Sequence, residues 1–148
     1  SSAASDVYKR QGEVACIYTE DQNSPFYEAA QDAYQRLLKM TDAKGRQLKV
    51  HKLCCPVKNV TIQGSFKIDF VEGTMPREDG DICIASYMNF LITNDGVIVP
   101  QYGDENDCLA LEQVQTMFPD KKIVGVNTVE VVYGGGNIHC ITQQEPKR

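Results

Sequence analysis

Two stretches of this chain carry the same order of parts: an apolar run, an amphipathic helix and a second apolar run. A helix with one continuous apolar stripe must bury it, and strands on either side supply the sheet that covers it. That requirement sets the fold class as α/β. In the first copy, Val14-Ala15-Cys16-Ile17-Tyr18 suits a buried strand. Ser24 is placed as an N-cap with Pro25 at the first helical position. Phe26, Ala29, Ala30, Ala33, Tyr34, Leu37 and Leu38 then form the stripe, and Gly45 is expected to stop the helix. A second strand runs over Leu48-Lys49-Val50-His51-Lys52-Leu53 and ends before Pro56.

In the second copy, Ile82 to Ala85 and Tyr87 to Ile92 lead into Asn94-Asp95-Gly96, with Val97-Ile98-Val99 beyond. Asp95-Gly96 between two apolar runs is a hairpin signal. A helix is expected from about Asp104 to Asp107 onward, with Leu111, Val114, Met117 and Phe118 on one face and Pro119 ending it. Ile123-Val124-Gly125-Val126 reads as a buried strand, and a short turn through Val129 to Val132 follows. Between the copies, residues 56 to 81 have weak periodicity and read as a long surface excursion with one short strand near Val60. Within it, Met75-Pro76-Arg77 projects toward a site rim or lies in a solvated loop. Repetition of one supersecondary unit suggests a symmetric closed architecture, and the pattern leaves open which one. Two units alone expose two open flanks.

The length of 148 residues permits one ordinary domain. A net charge of −5 without a basic run argues against a nucleic-acid partner. No apolar stretch reaches the roughly 18 residues that span a bilayer, so no membrane role is expected. Six cysteines invite a disulfide framework, but the N-terminus has no apolar signal core. Cys54 and Cys55 are adjacent on a predicted strand, where their side chains point to opposite faces. Free thiols in a reducing compartment, hence a cytoplasmic location, fit better. Residues 1–11, Ser-Ser-Ala-Ala-Ser onward, start no periodic pattern and read as a foreign or disordered lead-in.

The chemistry concentrates at Gly134-Gly135-Gly136-Asn137-Ile138-His139-Cys140-Ile141-Thr142. Consecutive glycines cost backbone entropy and persist where the chain turns sharply or a ligand approaches bare backbone. Cys140 follows, so a thiol is expected at a pocket mouth. Set against this, most cysteines are buried and inert. His139 is a poor base for Cys140 if the segment is extended, because adjacent side chains then face opposite ways; a structural role on the reverse face is expected for it. His51 has no carboxylate at telling spacing and reads as a surface residue. No C-x-x-C pair or histidine cluster of metal-binding spacing occurs.

Four ordered motifs carry a family resemblance. They are Thr41 to Arg46 with Lys49 to Leu53, Val71-Glu72-Gly73-Thr74-Met75-Pro76-Arg77, Ala85-Ser86-Tyr87-Met88-Asn89-Phe90, and Gly134 to Pro146. The chain resembles the agmatine deiminases, of the Porphyromonas-type peptidylarginine deiminase family within the pentein, or guanidine-modifying, superfamily. The resemblance extends from Gly12 to Lys147. It implies a five-bladed α/β propeller of which this chain supplies about two strand-helix-strand modules, with residues 12–148 as the C-terminal part of a catalytic domain. It implies hydrolysis of agmatine to N-carbamoylputrescine and ammonia, a step toward putrescine, through an amidino-thioether on Cys140. Gly135 carries over as a backbone contact to substrate, and Arg77 matches a motif without an assigned role. No metal or organic cofactor is implied.

Deimination needs a nucleophile, carboxylates to grip the guanidinium fork, and an acid–base group for ammonia and water. The family's His-x-Asp motif and gripping carboxylates lie upstream of the matched region, and no His-x-Asp occurs here. The chain is therefore expected to be inactive alone, the full-length enzyme having agmatine as its small-molecule partner and room for a homo-oligomer. Three alternatives stand beside this reading: a deiminase of arginine or peptidyl-arginine, a non-catalytic guanidine-binding module, and a Cys-His hydrolase of the amide or thioester type.

Overall fold

A computed structural model describes residues 12–63, 72–73, 77–143 and 145. Both expected units are present and the class is α/β. Strand β1 (Glu13–Ile17), helix α1 (Tyr27–Leu37) and strand β2 (Lys49–Leu53) form the first. β1 and β2 pair in parallel, Glu13 opposite Lys49 and Ile17 opposite Leu53. The second contains β3 (Leu91–Ile92), β4 (Gly96–Gln101), α2 (Asp107–Met117) and β5 (Lys122–Asn127), followed by the single helical turn α3 (Val129–Val132). Its sheet has the order β3-β4-β5, antiparallel then parallel. The residues read as a lead-in, and Met75 and Pro76, lie outside the described residues.

The core gathers both units. Leu53 of β2, Ile62, Cys83, Tyr87, Phe90, Val97 and Val99 of β4, and Ala110, Val114 and Met117 of α2 are buried together. The α2 stripe is as its spacing predicts, with Leu111 and Phe118 half-buried beside it. Near Val60 the chain makes one antiparallel bridge, Thr61 to Ile82, rather than a strand.

Several expectations need correction. The helix α1 begins at Tyr27, not at Pro25. Ser24 instead closes the preceding turn: its Oγ accepts from the Phe26 N–H at 3.3 Å and its carbonyl from the Tyr27 N–H at 3.0 Å. Of the α1 stripe, Ala30 is buried while Phe26 and Ala29 are exposed. The helix ends at Leu37, so Gly45 does not stop it. Gly45 sits in the turn organised by Asp42, whose Oδ1 accepts from the Lys44 and Arg46 N–H groups at 2.8 and 2.9 Å. Cys54 and Cys55 lie just past the end of β2 rather than on it; all six thiols are free.

β5 is not a buried strand. One face of the strand is covered and the other is not: Ile123 packs on the core while Val124 and Val126, alternating with it, are about 40% exposed. The hairpin stands, for a partly different reason. Asn94 and Asp95 make the bend while Gly96 opens β4, where a Cβ would lie 2.6 Å from the Lys122 carbonyl.

His51 is not a lone surface residue. Its Nε2 lies 2.6 Å from Glu13 Oε2 on the neighbouring strand, and Lys49 Nζ lies 3.3 Å from the same oxygen. The His51 hydrogen bond, and then the Lys49 contacts, hold the Glu13 carboxyl below its ordinary range. A depressed carboxyl pKa adds stability above the unfolded value, near 4.3, that is lost as pH falls through the folded one. Glu13→Gln is therefore expected to cost less than about 1 kcal/mol at neutral pH, because the pair is partly solvated. It should also flatten the stability loss below about pH 4, as read by urea midpoints against pH.

Candidate functional site

The end of α3 runs directly into the glycines. The Gly134 and Gly135 N–H groups bond the Val131 and Val132 carbonyls, extending the turn. Gly135 then takes φ +89°, a left-handed conformation, and the Arg77 guanidinium presses against the space its Cβ would fill. At Gly136 a Cβ would lie 2.9 Å from Cys140 Cβ. The backbone is bare here because the thiol-bearing residue folds back onto it.

That fold-back corrects the extended reading of the segment. The Ile141 N–H bonds the Asn137 carbonyl at 3.1 Å and Thr142 N–H the His139 carbonyl at 3.3 Å, so residues 137–142 form a turn. His139 and Cys140 still do not pair. His139 Nε2 is buried without a hydrogen-bond partner among the described residues.

Below the turn lies a buried polar network. Asn137, 1% exposed, donates from Nδ2 to Thr128 Oγ1 at 3.0 Å and to the Tyr102 hydroxyl at 3.1 Å. The same hydroxyl accepts from the Ser86 N–H at 2.9 Å and donates to the Ser86 carbonyl at 3.0 Å. One phenol oxygen thus ties the cysteine turn to the segment leading to Asn89. The Tyr87 hydroxyl donates to Asp107 Oδ1 at 2.7 Å, anchoring that segment to the start of α2.

Cys140 itself is exposed. Asn89 Nδ2 lies 3.2 Å from its sulfur. The Asn89 amide, then the Asn137 backbone N–H, hold the thiol below its ordinary pKa. Burial does the opposite elsewhere: Cys16 and Cys83 are pushed up, Cys54 to about 12 and Cys55 to about 11. A thiolate is the nucleophilic form, and Cys140 is the thiol whose surroundings favour it among the described residues. Sequence reading missed Asn89, although its motif was noted. The signal was a carboxamide set between the apolar Met88 and Phe90.

A separate cleft of about 480 Å³ opens past the ends of β1 and β2, lined by Tyr18, Lys52, Cys54, Cys55, Asn106 and Gln113 among others. Neither Gly135 nor Cys140 lines it. Among the described residues no cluster of potential metal ligands occurs, and no helix is long and apolar enough to cross a membrane.

Similarity to known proteins follows the same residues. A solved structure described as the agmatine deiminase of Enterococcus faecalis catalysing its reaction is 98% identical and superposes with a TM-score of 0.89, covering 93% of this chain and 38% of that one. An agmatine deiminase of Pseudomonas aeruginosa is 44% identical over 140 residues, 94% of this chain and 38% of that protein. A Campylobacter jejuni agmatine deiminase structure, 23% identical, shares the fold with a TM-score of 0.64, covering 87% of this chain and 32% of that one. The chain thus spans well under half the length of these relatives. Residues 6–146 match the family described as Porphyromonas-type peptidyl-arginine deiminase, and the chain belongs to that family.

Proposed function

We propose that this chain is the part of an agmatine-hydrolysing enzyme that carries its nucleophile. The observation that carries the reading is an exposed thiol, lowered in pKa, presented by glycine backbone and hydrogen-bonded by a side chain 51 residues away in sequence. Near-identity to the Enterococcus faecalis agmatine deiminase supports agmatine as the substrate. The Cys140 thiolate adds to the central guanidinium carbon; ammonia leaves with a proton, giving an amidino-thioether. Water then adds, the C–S bond breaks, and the sulfur regains its thiol as N-carbamoylputrescine departs. Gly135 lets the substrate approach along bare backbone. In this reading residues 12–148 are the C-terminal part of a catalytic domain, a pentein propeller in which they supply about two modules. The carboxylates and acid–base histidine come from the remaining portion, and the enzyme works in the cytoplasm.

The test places this chain in a full-length polypeptide, replacing the matching segment of the Enterococcus faecalis relative. Agmatine, arginine and a peptidyl-arginine are supplied separately and released ammonia is measured. Turnover of agmatine above the other two is expected, and the chain by itself is expected to release none. Quenching during turnover should add an amidino-butylamine mass to the Cys140 peptide; its absence throughout, with turnover intact, rejects the mechanism.

A further inference from the structure

Asn89 sits 51 residues before Cys140 in sequence, yet its carboxamide meets the cysteine turn at three points. Its Oδ1 accepts from the His139 N–H at 2.8 Å and from the Cys140 N–H at 3.3 Å. Its Nδ2 faces the sulfur at 3.2 Å. Here two backbone donors converge on one terminus, so that terminus must be the oxygen and the N–H₂ must face the sulfur. The Asn89 backbone carbonyl adds a fourth contact, accepting from the His139 N–H at 3.3 Å.

The segment holding Asn89 is itself fixed. Ser86 Oγ accepts from the Met88 N–H at 3.2 Å, the Tyr102 hydroxyl holds both backbone groups of Ser86, and Tyr87 and Phe90 on either side of Asn89 are buried. A carboxamide anchored this way arrives at the sulfur without having to be ordered during reaction.

We propose that Asn89 is the positioning residue of the Cys140 nucleophile: its oxygen sets the turn that aims the sulfur, and its N–H₂ stabilises the thiolate before substrate arrives. The proposal rests on the deiminase reading for what the sulfur attacks, and extends it to how the free site keeps a thiolate ready. Among the described residues, the other titratable groups at this turn are His139, its chain neighbour, Arg77, whose guanidinium lies against Gly135, and Tyr102, whose hydroxyl accepts from Asn137 Nδ2.

The experiment uses the full-length polypeptide with Asn89→Asp and Asn89→Ala. Asp keeps the accepting oxygen and the turn, but sets a carboxylate where the N–H₂ faced the sulfur; Ala removes both. Iodoacetamide labelling of Cys140, located by peptide mass, is followed against pH, and kcat and KM for agmatine are measured beside it. Both variants are expected to move the labelling midpoint upward, Asp further than Ala, lowering the thiolate fraction at neutral pH by about tenfold or more. kcat should fall by a factor of about 10² while KM changes by less than about threefold. An unmoved midpoint in folded Asn89→Asp overturns the proposal, and that variant keeps the test open if the alanine form does not fold. Failure of the deiminase reading looks different: Cys140→Ala would keep releasing ammonia, while the labelling midpoints would still report on Asn89.

Discussion

Cys140→Ser in the full-length polypeptide is expected to lower agmatine turnover at least about 10³-fold, with KM nearly unchanged and the fold intact. The change is nearly isosteric, and Cys140 is exposed, so no cavity forms. Gly136, which a Cβ would bring within 2.9 Å of Cys140 Cβ, loses no clearance to an oxygen smaller than sulfur. What is lost is ionisation. The amide of Asn89 and the backbone N–H of Asn137 lower the pKa of the thiol, but the same donors cannot deprotonate an alcohol, which is a far weaker acid than a thiol. Cys108→Ser supplies the control. Cys108 is also exposed, on α2 outside the cysteine turn, and its replacement should leave turnover within about twofold. Ammonia release, with agmatine binding by calorimetry in parallel, separates a lost chemical step from lost binding. Equal activity in the Cys140 variant and the parent would remove the nucleophile from this site.

What local pattern encodes, the sequence disclosed. The α2 stripe through Val114 and Met117, the bend between β3 and β4, and both strand-helix-strand units follow from spacing and turn chemistry alone. Two of the errors turn on what the fold sets, or leaves out, beside a residue, and a third is local. Val124 and Val126 read as core because they are apolar, but β5 lies at a sheet edge with one face uncovered. His51 showed no nearby carboxylate, because Glu13 is 38 residues away and meets it only once β1 and β2 pair. Gly45 looked like a helix stop because its neighbours 38–44 are helix-compatible, yet Asp42 captures the backbone N–H groups of Lys44 and Arg46 in a turn of its own. At the candidate site, Cys140 and Gly135 were legible as a thiol beside bare backbone. Asn89 was not, since a carboxamide between Met88 and Phe90 does not itself reveal that it will meet a sulfur 51 residues away. The expectation that His139 stays apart from Cys140 holds, although the extended backbone it was argued from is a turn.

Asp107→Ala is expected to destabilise the full-length polypeptide by about 3 kcal/mol or more, the largest stability effect of any single side chain near the site. Asp107 receives the hydroxyl of Tyr87 at 2.7 Å on Oδ1, the Tyr102 N–H at 3.1 Å on the same oxygen, and the Gly103 N–H at 2.8 Å on Oδ2. The Asp104 N–H adds a longer contact at 3.2 Å. Tyr87 is fully buried, so its hydroxyl has no water to turn to once the carboxylate is gone. Each buried donor left unpaired costs about 1–3 kcal/mol, and the exposed ones recover most of theirs from solvent. Burial, and then the same carboxylate, push the Tyr87 hydroxyl well above its ordinary pKa, so it remains a donor. Asp107→Asn keeps one accepting oxygen but turns an N–H₂ toward the remaining donors, and should cost about half as much. Adding Tyr87→Phe to Asp107→Ala removes the orphaned hydroxyl, so the double variant should lie closer to the parent than the two single losses sum to, by about 1–2 kcal/mol. Urea midpoints across the four proteins measure that coupling. A strictly additive result would mean that Tyr87 and Asp107 act independently. Because Tyr87 lies two residues before Asn89, coupling also predicts that Asp107→Ala raises the Cys140 labelling midpoint, although Asp107 touches neither Asn89 nor Cys140 among the hydrogen bonds that build the site.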